Sequence, residues 1–195
     1  MKKILATVLA LVMILAMAGC NNTKTNETTA AATTEAAQNL PTTALAMLEA
    51  IWDNYAEDEK FFVMGGNPEN AVDGAPGNYN MEYAENLTYN LLIPADDLAS
   101  VKEAATMIHA MNANTFTSGV VRMTEGADAS AFATTMREAI QNNQWMCGFP
   151  ETLYIGTLGD YVVIAFGLND AMNPFQAHIV EAYPDIIVAY NEAIG

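Results

Sequence analysis

The chain is 195 residues long and carries seven Lys and Arg against twenty-three Asp and Glu, a formal net charge of −16. With no basic patch to neutralise phosphates, that balance argues against nucleic acid as a partner, and equally against docking on anionic lipid or cell-wall polymers. About 155 residues lie from Pro41 onward, enough to bury roughly 70% of the unfolded surface in one core, so a single domain is expected there.

In chain order, Met1-Lys2-Lys3 supplies positive charge, Ile4 to Ala16 are apolar, and Met17-Ala18-Gly19-Cys20 closes the stretch with small residues. The apolar run is shorter than the roughly 20 residues needed to span hydrocarbon, so residues 1–19 read as a secretory signal peptide. Ala-Gly-Cys at its end resembles the lipobox of bacterial lipoproteins, with Met17 standing where leucine is usual. That resemblance implies a diacylglyceryl anchor on Cys20, which becomes the first residue after cleavage. The expected location is then the extracytoplasmic face of the cell membrane. Two acyl chains on one residue give stable anchoring where one chain is marginal.

Residues 20–40 form the next segment, the lipidated cysteine followed by Thr, Ala, Asn, Gln and Glu with no large apolar residue from Asn21 to Asn39. It cannot bury enough surface to offset chain entropy, and reads as a disordered tether with a reach of about 25 Å. Cleavage removes Lys2 and Lys3, leaving Lys24, Lys60, Lys102, Arg122 and Arg137 against the acidic residues, a charge near −18. With Cys20 acylated, only Cys147 remains, so no disulfide forms within the mature chain. The apolar neighbours in Trp145-Met146-Cys147-Gly148-Phe149 predict a buried, inert thiol.

Residues 41–195 form the single globular domain. Leu45, Leu48, Trp52 and Tyr55, flanked by Met47 and Ile51, have helical spacing. Phe61 to Met64 predict a short strand, and the Gly-, Asn- and Pro-rich stretch to Asn80 a long surface loop. Tyr89 to Ile93 read as extended. Pro94 opens a helix with Asp96 and Asp97 in its first turn and Leu98, Val101, Ala105 and Ile108 as its buried stripe. Gly119 to Met123 predict a strand, followed by a turn at Glu125-Gly126 and a helix capped near Asp128 that buries Phe132, Met136, Ala139 and Ile140.

Beyond Gly148-Phe149-Pro150, strands over Thr152 to Leu158 and Tyr161 to Gly167 flank Gly159-Asp160, a pair suited to a two-residue hairpin loop. The second strand is apolar on both faces and is placed centrally, with packing on each side. Asn173 and Pro174 read as N-cap and first position of a helix ended by Pro184. Residues 186–194 continue as helix, with a strand over Ile186 to Tyr190 as the alternative. The expected fold is α+β: a small antiparallel or mixed sheet with helices mainly on one face, in the order α-β-β-α-β-α-β-β-α.

The strand around Val120-Val121-Arg122, the helix from Asp128 to Asn142 and the strand Gly159-Asp160-Tyr161-Val162-Val163-Ile164 resemble an uncharacterised family of small lipoproteins from Gram-positive bacteria. The likeness covers residues 95–168. It implies location and rough architecture, and no site residue comes with it.

No catalytic residue, metal ligand or cofactor is expected. His109 and His178 sit in no catalytic motif, and His178 with Glu181, three residues apart on a helix, makes only two ligands. Glu57-Asp58-Glu59 and Asp96-Asp97 read as solvated helix ends. Asn67, Glu69, Asn70 and Asp73 with Gly74 come nearest to a calcium loop but miss the alternating ligand spacing of an EF-hand. Gly65-Gly66 and Gly74-Ala75-Pro76-Gly77 lack the strand-turn-helix context of a phosphate loop. Tyr79, Tyr83 and Tyr89 either line a surface for peptide or sugar or fill the core under the loop. The expected function is a noncatalytic binding or accessory module of the cell envelope, recognising an envelope protein or another extracellular ligand; the alternative is a small hydrolase using carboxylates or a metal.

Overall fold

A computed structural model describes residues 40–111 and 113–195. The signal peptide, Cys20 and residues 20–39 of the tether lie outside them. Helix α1 (Ala44–Asp53) starts where the Thr43 hydroxyl accepts the Ala46 N–H at 3.0 Å, and buries Ala44, Met47, Leu48, Ile51 and Trp52 along one stripe. Three short strands follow, β1 (Val63–Gly65), β2 (Val72–Asp73) and β3 (Gly77–Asn78), then a one-turn helix α2 (Leu87–Asn90). Long strands β4 (Val101–His109) and β5 (Phe116–Met123) precede helix α3 (Ala129–Gln141). The hairpin of β6 (Thr152–Leu158) and β7 (Tyr161–Gly167) leads to helix α4 (Asn169–Ala182) and the last strand, β8 (Ile187–Ala193).

The fold is α+β, built on one eight-stranded sheet in the order β2-β1-β4-β5-β7-β6-β8, with β3 also paired to β4. Every pairing is antiparallel. Strands β5 and β6 both run antiparallel to β7, so α3 connects two parallel strands across an intervening one. Helix α4 does the same from β7 to β8 across β6. The two crossovers travel the same way along the sheet from oppositely directed strands, so the right-handed preference of such connections sends their helices to opposite faces. The cores agree: Tyr161, Val163 and Ala165 pack with α1 and α4, whereas Val162, Ile164 and Phe166 pack with Phe132, Met136 and Ile140 of α3.

This corrects the expectation of helices mainly on one face, and β7 lies centrally with packing on both sides, as its two apolar faces predict. Other corrections are local. Residues 101–109 are a strand, not the second half of a helix; Ala104, Ala105, Thr106 and Met107 are all buried, which a central strand covered on both faces requires and a one-sided helix does not. Only residues 95–100 coil, as a 3-10 helix. Residues 89–93 are not extended: Leu91 and Ile93 both donate their N–H to the Leu87 carbonyl, and Leu92 between them adopts φ +61°.

The stretch 65–80 is a surface loop only in its middle: residues 68–74 are exposed, whereas Gly65, Gly66, Asn67, Gly77 and Tyr79 are buried, and β2 and β3 lie within it. Helix α4 starts at Asn169, ahead of Asn173, with the Ala171 and Met172 N–H groups bonded to the Leu168 carbonyl at 3.0 Å, so Pro174 sits inside it. The last element is the strand alternative. The described residues form one compact unit.

Candidate functional site

Where β4 and β7 end and β5 and β6 begin, a cleft of about 270 Å³ opens on the α3 side of the sheet. Its first wall is Tyr89 and Leu92 at the end of α2. A left-handed backbone at a leucine costs roughly 1–2 kcal/mol, a cost offset here by the two hydrogen bonds onto Leu87. The second wall is the loop after α3, in which Trp145 turns inward onto Phe166 with ring centroids 5.5 Å apart. Its Nε1–H is buried and meets no acceptor. Such a donor carries an unrecovered desolvation cost of about 1–3 kcal/mol.

The third wall is the β4–β5 hairpin, with Ile108, His109, Met111 and Thr117. Asp, Glu, Lys and Arg are absent from the lining among the described residues. Two of its lining side chains stand in water, Tyr89 at 80% and Met111 at 57% exposed, and in the loop that carries Trp145 so do Met146 at 90% and Phe149 at 66%. Scattered exposed apolar residues are ordinary, but several gathered beside an uncharged cleft mark an interaction surface.

His109 forms the border of this cleft and of a second one, about 240 Å³, that also touches Phe61, Asn114 and Asp170. Its ring stacks on Phe61 at 5.1 Å, and Nδ1 accepts the Met111 N–H at 3.0 Å. Burial holds its pKa below the ordinary 6.5, so the imidazole is neutral at pH 7, the state its accepting Nδ1 requires.

Cys147 is exposed on the rim, which corrects the expected buried thiol. The five-residue apolar run places only Trp145 inward, and Gly148 with φ +64° turns the chain so that its neighbours face solvent. Of the three tyrosines weighed as a binding surface, Tyr89 reaches the cleft, while Tyr79 fills the core and Tyr83 is half-buried in the 3-10 turn.

The other candidates serve the fold. His178 is 13% exposed, not solvated; it stacks on Tyr55 at 4.3 Å, and its two ring nitrogens face different carboxylates, Glu181 at 3.2 Å and Glu59 at 3.6 Å. It therefore ties α4 to the segment after α1. Asn67 Oδ1 accepts the Asn80 N–H, and Asn70 Oδ1 accepts the Asn67 N–H, so the oxygens a calcium ion needs are committed to the chain's own amides. Asp73 stands apart on β2, opposite Met64. Glu57 pairs with Lys60, Glu59 accepts the Ala56 N–H, and Asp96 and Asp97 sit in the first turn of their 3-10 helix.

Among the described residues no group of three or more His, Cys, Asp or Glu is placed to hold a metal ion. A larger polar cleft of about 700 Å³ lies at the other end of the sheet, but its Arg122 is bonded to Asp160 at 2.7 Å, and Glu125 and Asp128 flank it. The Arg122–Asp160 pair stabilises the β6–β7 turn. The cleft's Asp128 caps Ser130 and Ala131. The uncharged cleft is the better candidate because Tyr89 and Met111 on its lining are exposed and bury little of themselves in the fold.

Sequence reasoning reached Tyr89 and missed Leu92, Met111, Trp145 and Phe166 as a group. A signal was present in Trp145-Met146-Cys147-Gly148-Phe149, an apolar run in a segment that Gly148 and Pro150 mark as a loop. Compared with protein-family models, curated proteins and solved structures, the chain matches none. None of the described helices is long and apolar enough to cross a membrane.

Proposed function

We propose that this chain is an extracytoplasmic lipoprotein, held to the cell membrane by diacylglycerol on Cys20, whose domain is a noncatalytic binding or accessory module of the envelope. The address rests on the charged, apolar and small-residue order of residues 1–20 and on the resemblance to small Gram-positive lipoproteins. The binding role rests on one observation, a cleft with no Asp, Glu, Lys or Arg in its lining that carries the exposed side chains of Tyr89 and Met111. Aromatic residues and methionine are the types enriched at the cores of protein interfaces, where charged residues are depleted. The alternative, a hydrolase working through paired carboxylates, would need Asp or Glu converging on the cleft, and the described lining holds none.

Two measurements test the reading. Mass spectrometry of the mature N-terminus is expected to find Cys20 carrying diacylglycerol; an unmodified residue there refutes the anchor. Capture from native membranes with the anchored chain is expected to recover a specific partner that is lost with Tyr89→Ser, a change on an exposed side chain that leaves the core intact.

A further inference from the structure

We infer that the outer edge of β8 takes an extended segment of a partner protein as a further strand, a segment with alternating large apolar side chains and basic rather than acidic charge. This surface is separate from the cleft and goes beyond the role proposed there. The two edges of the sheet differ. On one side the last strand, β2, has two residues and carries the exposed Asp73, whereas on the other β8 has seven and pairs only with β6. A long, unblunted edge strand is a template for another strand.

Which groups lie open follows from the ladder. The Ile194 N–H donates to the Glu151 carbonyl, so by the alternation of an antiparallel pair Glu192 and Tyr190 also face β6, and Asn191 and Ala193 face away. A bulge at Ala189 shifts the alternation by one, and before it in sequence Val188 faces away. The Ala193 carbonyl accepts the Gln141 amide. That leaves the main-chain N–H and C=O of Val188 and Asn191, and the Ala193 N–H, without a partner among the described residues. Apolar side chains flank them on both faces. Ile187, 66% exposed, lies on the α3 side beside Thr157; Val188, 47% exposed, lies on the α4 side, where Val180 of α4 is 51% exposed. Alternate side chains of an added strand meet one set or the other, which is how strand addition gains specificity.

The occupant follows by elimination. An acyl chain offers neither donor nor acceptor to the open main-chain groups. The chain's own tether has no large apolar residue from Asn21 to Asn39 with which to cover Ile187 and Val188. A second copy brings another charge of −16, and pairing β8 with itself over its full length would set one bulge against the other. A basic segment of another protein meets every condition, and the exposed carboxylates of Glu181 and Asp185 at the entry to β8 favour Lys or Arg in it.

The test selects a displayed library of random nonapeptides on the full chain. Enriched sequences are expected to alternate β-branched or aromatic residues with polar ones, to carry Lys or Arg and to lack Asp and Glu. At saturation, a capped synthetic copy should slow amide exchange at Val188 and Asn191, and it should bind Tyr89→Ser as tightly as wild type. Val188→Pro removes one open donor and no bond to β6, and should weaken the peptide about fivefold, the net worth of one hydrogen bond. Ile187→Lys, on an exposed side chain, should weaken it at least as much by opposing its charge.

The absence of any enriched sequence, enrichment of acidic or unpatterned ones, or binding that leaves both amides exchanging as before overturns strand addition. Protection of the two amides in the chain alone, rising with its concentration, assigns the edge to a second copy and overturns it too. Peptides lost with Tyr89→Ser and retained by Val188→Pro report the cleft; they support the binding-module reading and overturn this one. Peptides that behave as expected, beside native capture indifferent to Tyr89→Ser, leave this inference standing while the role of the cleft falls.

Discussion

A β-carbon built on Gly65 would stand 2.0 Å from the Gly77 nitrogen and 2.4 Å from the Pro76 carbonyl carbon. Both obstacles are backbone, held by the pairing of β3 with β4, so no side-chain rotation relieves the clash. Gly65→Ala is therefore expected to cost about 3 kcal/mol or more, read as a fall in the urea midpoint at unchanged slope. Gly74→Ala is the contrast: nothing lies within 4 Å, and only its φ of +75° opposes a side chain, so about 1 kcal/mol is expected. Cys147 offers a second residue-scale test. Since it is exposed, a thiol reagent should label it in the native state without prior unfolding, and Cys147→Ser should shift stability by less than about 0.5 kcal/mol. Neither Gly65 nor Cys147 was legible in sequence, because closeness of two backbones and the outward turn of a loop are set by distant contacts.

Elements were legible where their signals are local. The hairpin over 152–167 follows from Gly159-Asp160 between two β-rich runs, and the start of α3 from Asp128, whose carboxylate accepts the Ser130 and Ala131 N–H groups at 2.9 and 3.0 Å. Asp128→Ala is expected to cost about 1 kcal/mol, with Asp128→Asn recovering most of it; equal loss in both variants would place the effect elsewhere than the cap. Strand β4 illustrates the opposite case. Leu98, Val101, Ala105 and Ile108 satisfy a helical period, yet Val101, Ala104, Ala105 and Met107 are buried because β4 lies between β5 on one side and β1 with β3 on the other. A strand covered on both faces loses the alternation that identifies strands, and Ala, Met and Lys in it carry no strong β preference. The candidate cleft was hidden for a related reason: its walls come from residues 89–92, 108–111, 115–117, 143–148 and Phe166, which only the sheet brings together.

At the scale of the whole molecule, the two crossovers place a core on each face, and acid titrates two separate groups, His109 at the end of β4 and Glu192 on β8. His109 at the cleft border has a folded pKa below 6.5 through burial, so the unfolded chain binds its proton first as pH falls. Its contribution is therefore present above about pH 6.5 and is lost as pH drops from there through the folded value. Glu192 on β8 is held below the ordinary 4.5 by hydrogen bonds from Arg137 and Gln141 of α3, so its contribution is complete above that pH and is lost below it. On the alkaline side, burial pushes Tyr154 up to about 12, and stability that is intact below pH 10 should decline as the unfolded phenol ionises first. Repulsion among the many other carboxylates moves wild type and single variants alike, so differences between them isolate each group. Urea midpoints measured from pH 8 to 3 should show His109→Gln losing the decline that sets in below about pH 6.5 while keeping the lower one, and Glu192→Gln the reverse. A His109→Gln curve parallel to wild type over the upper window would mean that His109 is as easily protonated in the fold as in water. The neutral ring accepting Met111 at the cleft border would then be wrong, while the Glu192 limb, on a separate helix and strand, would stand unaffected.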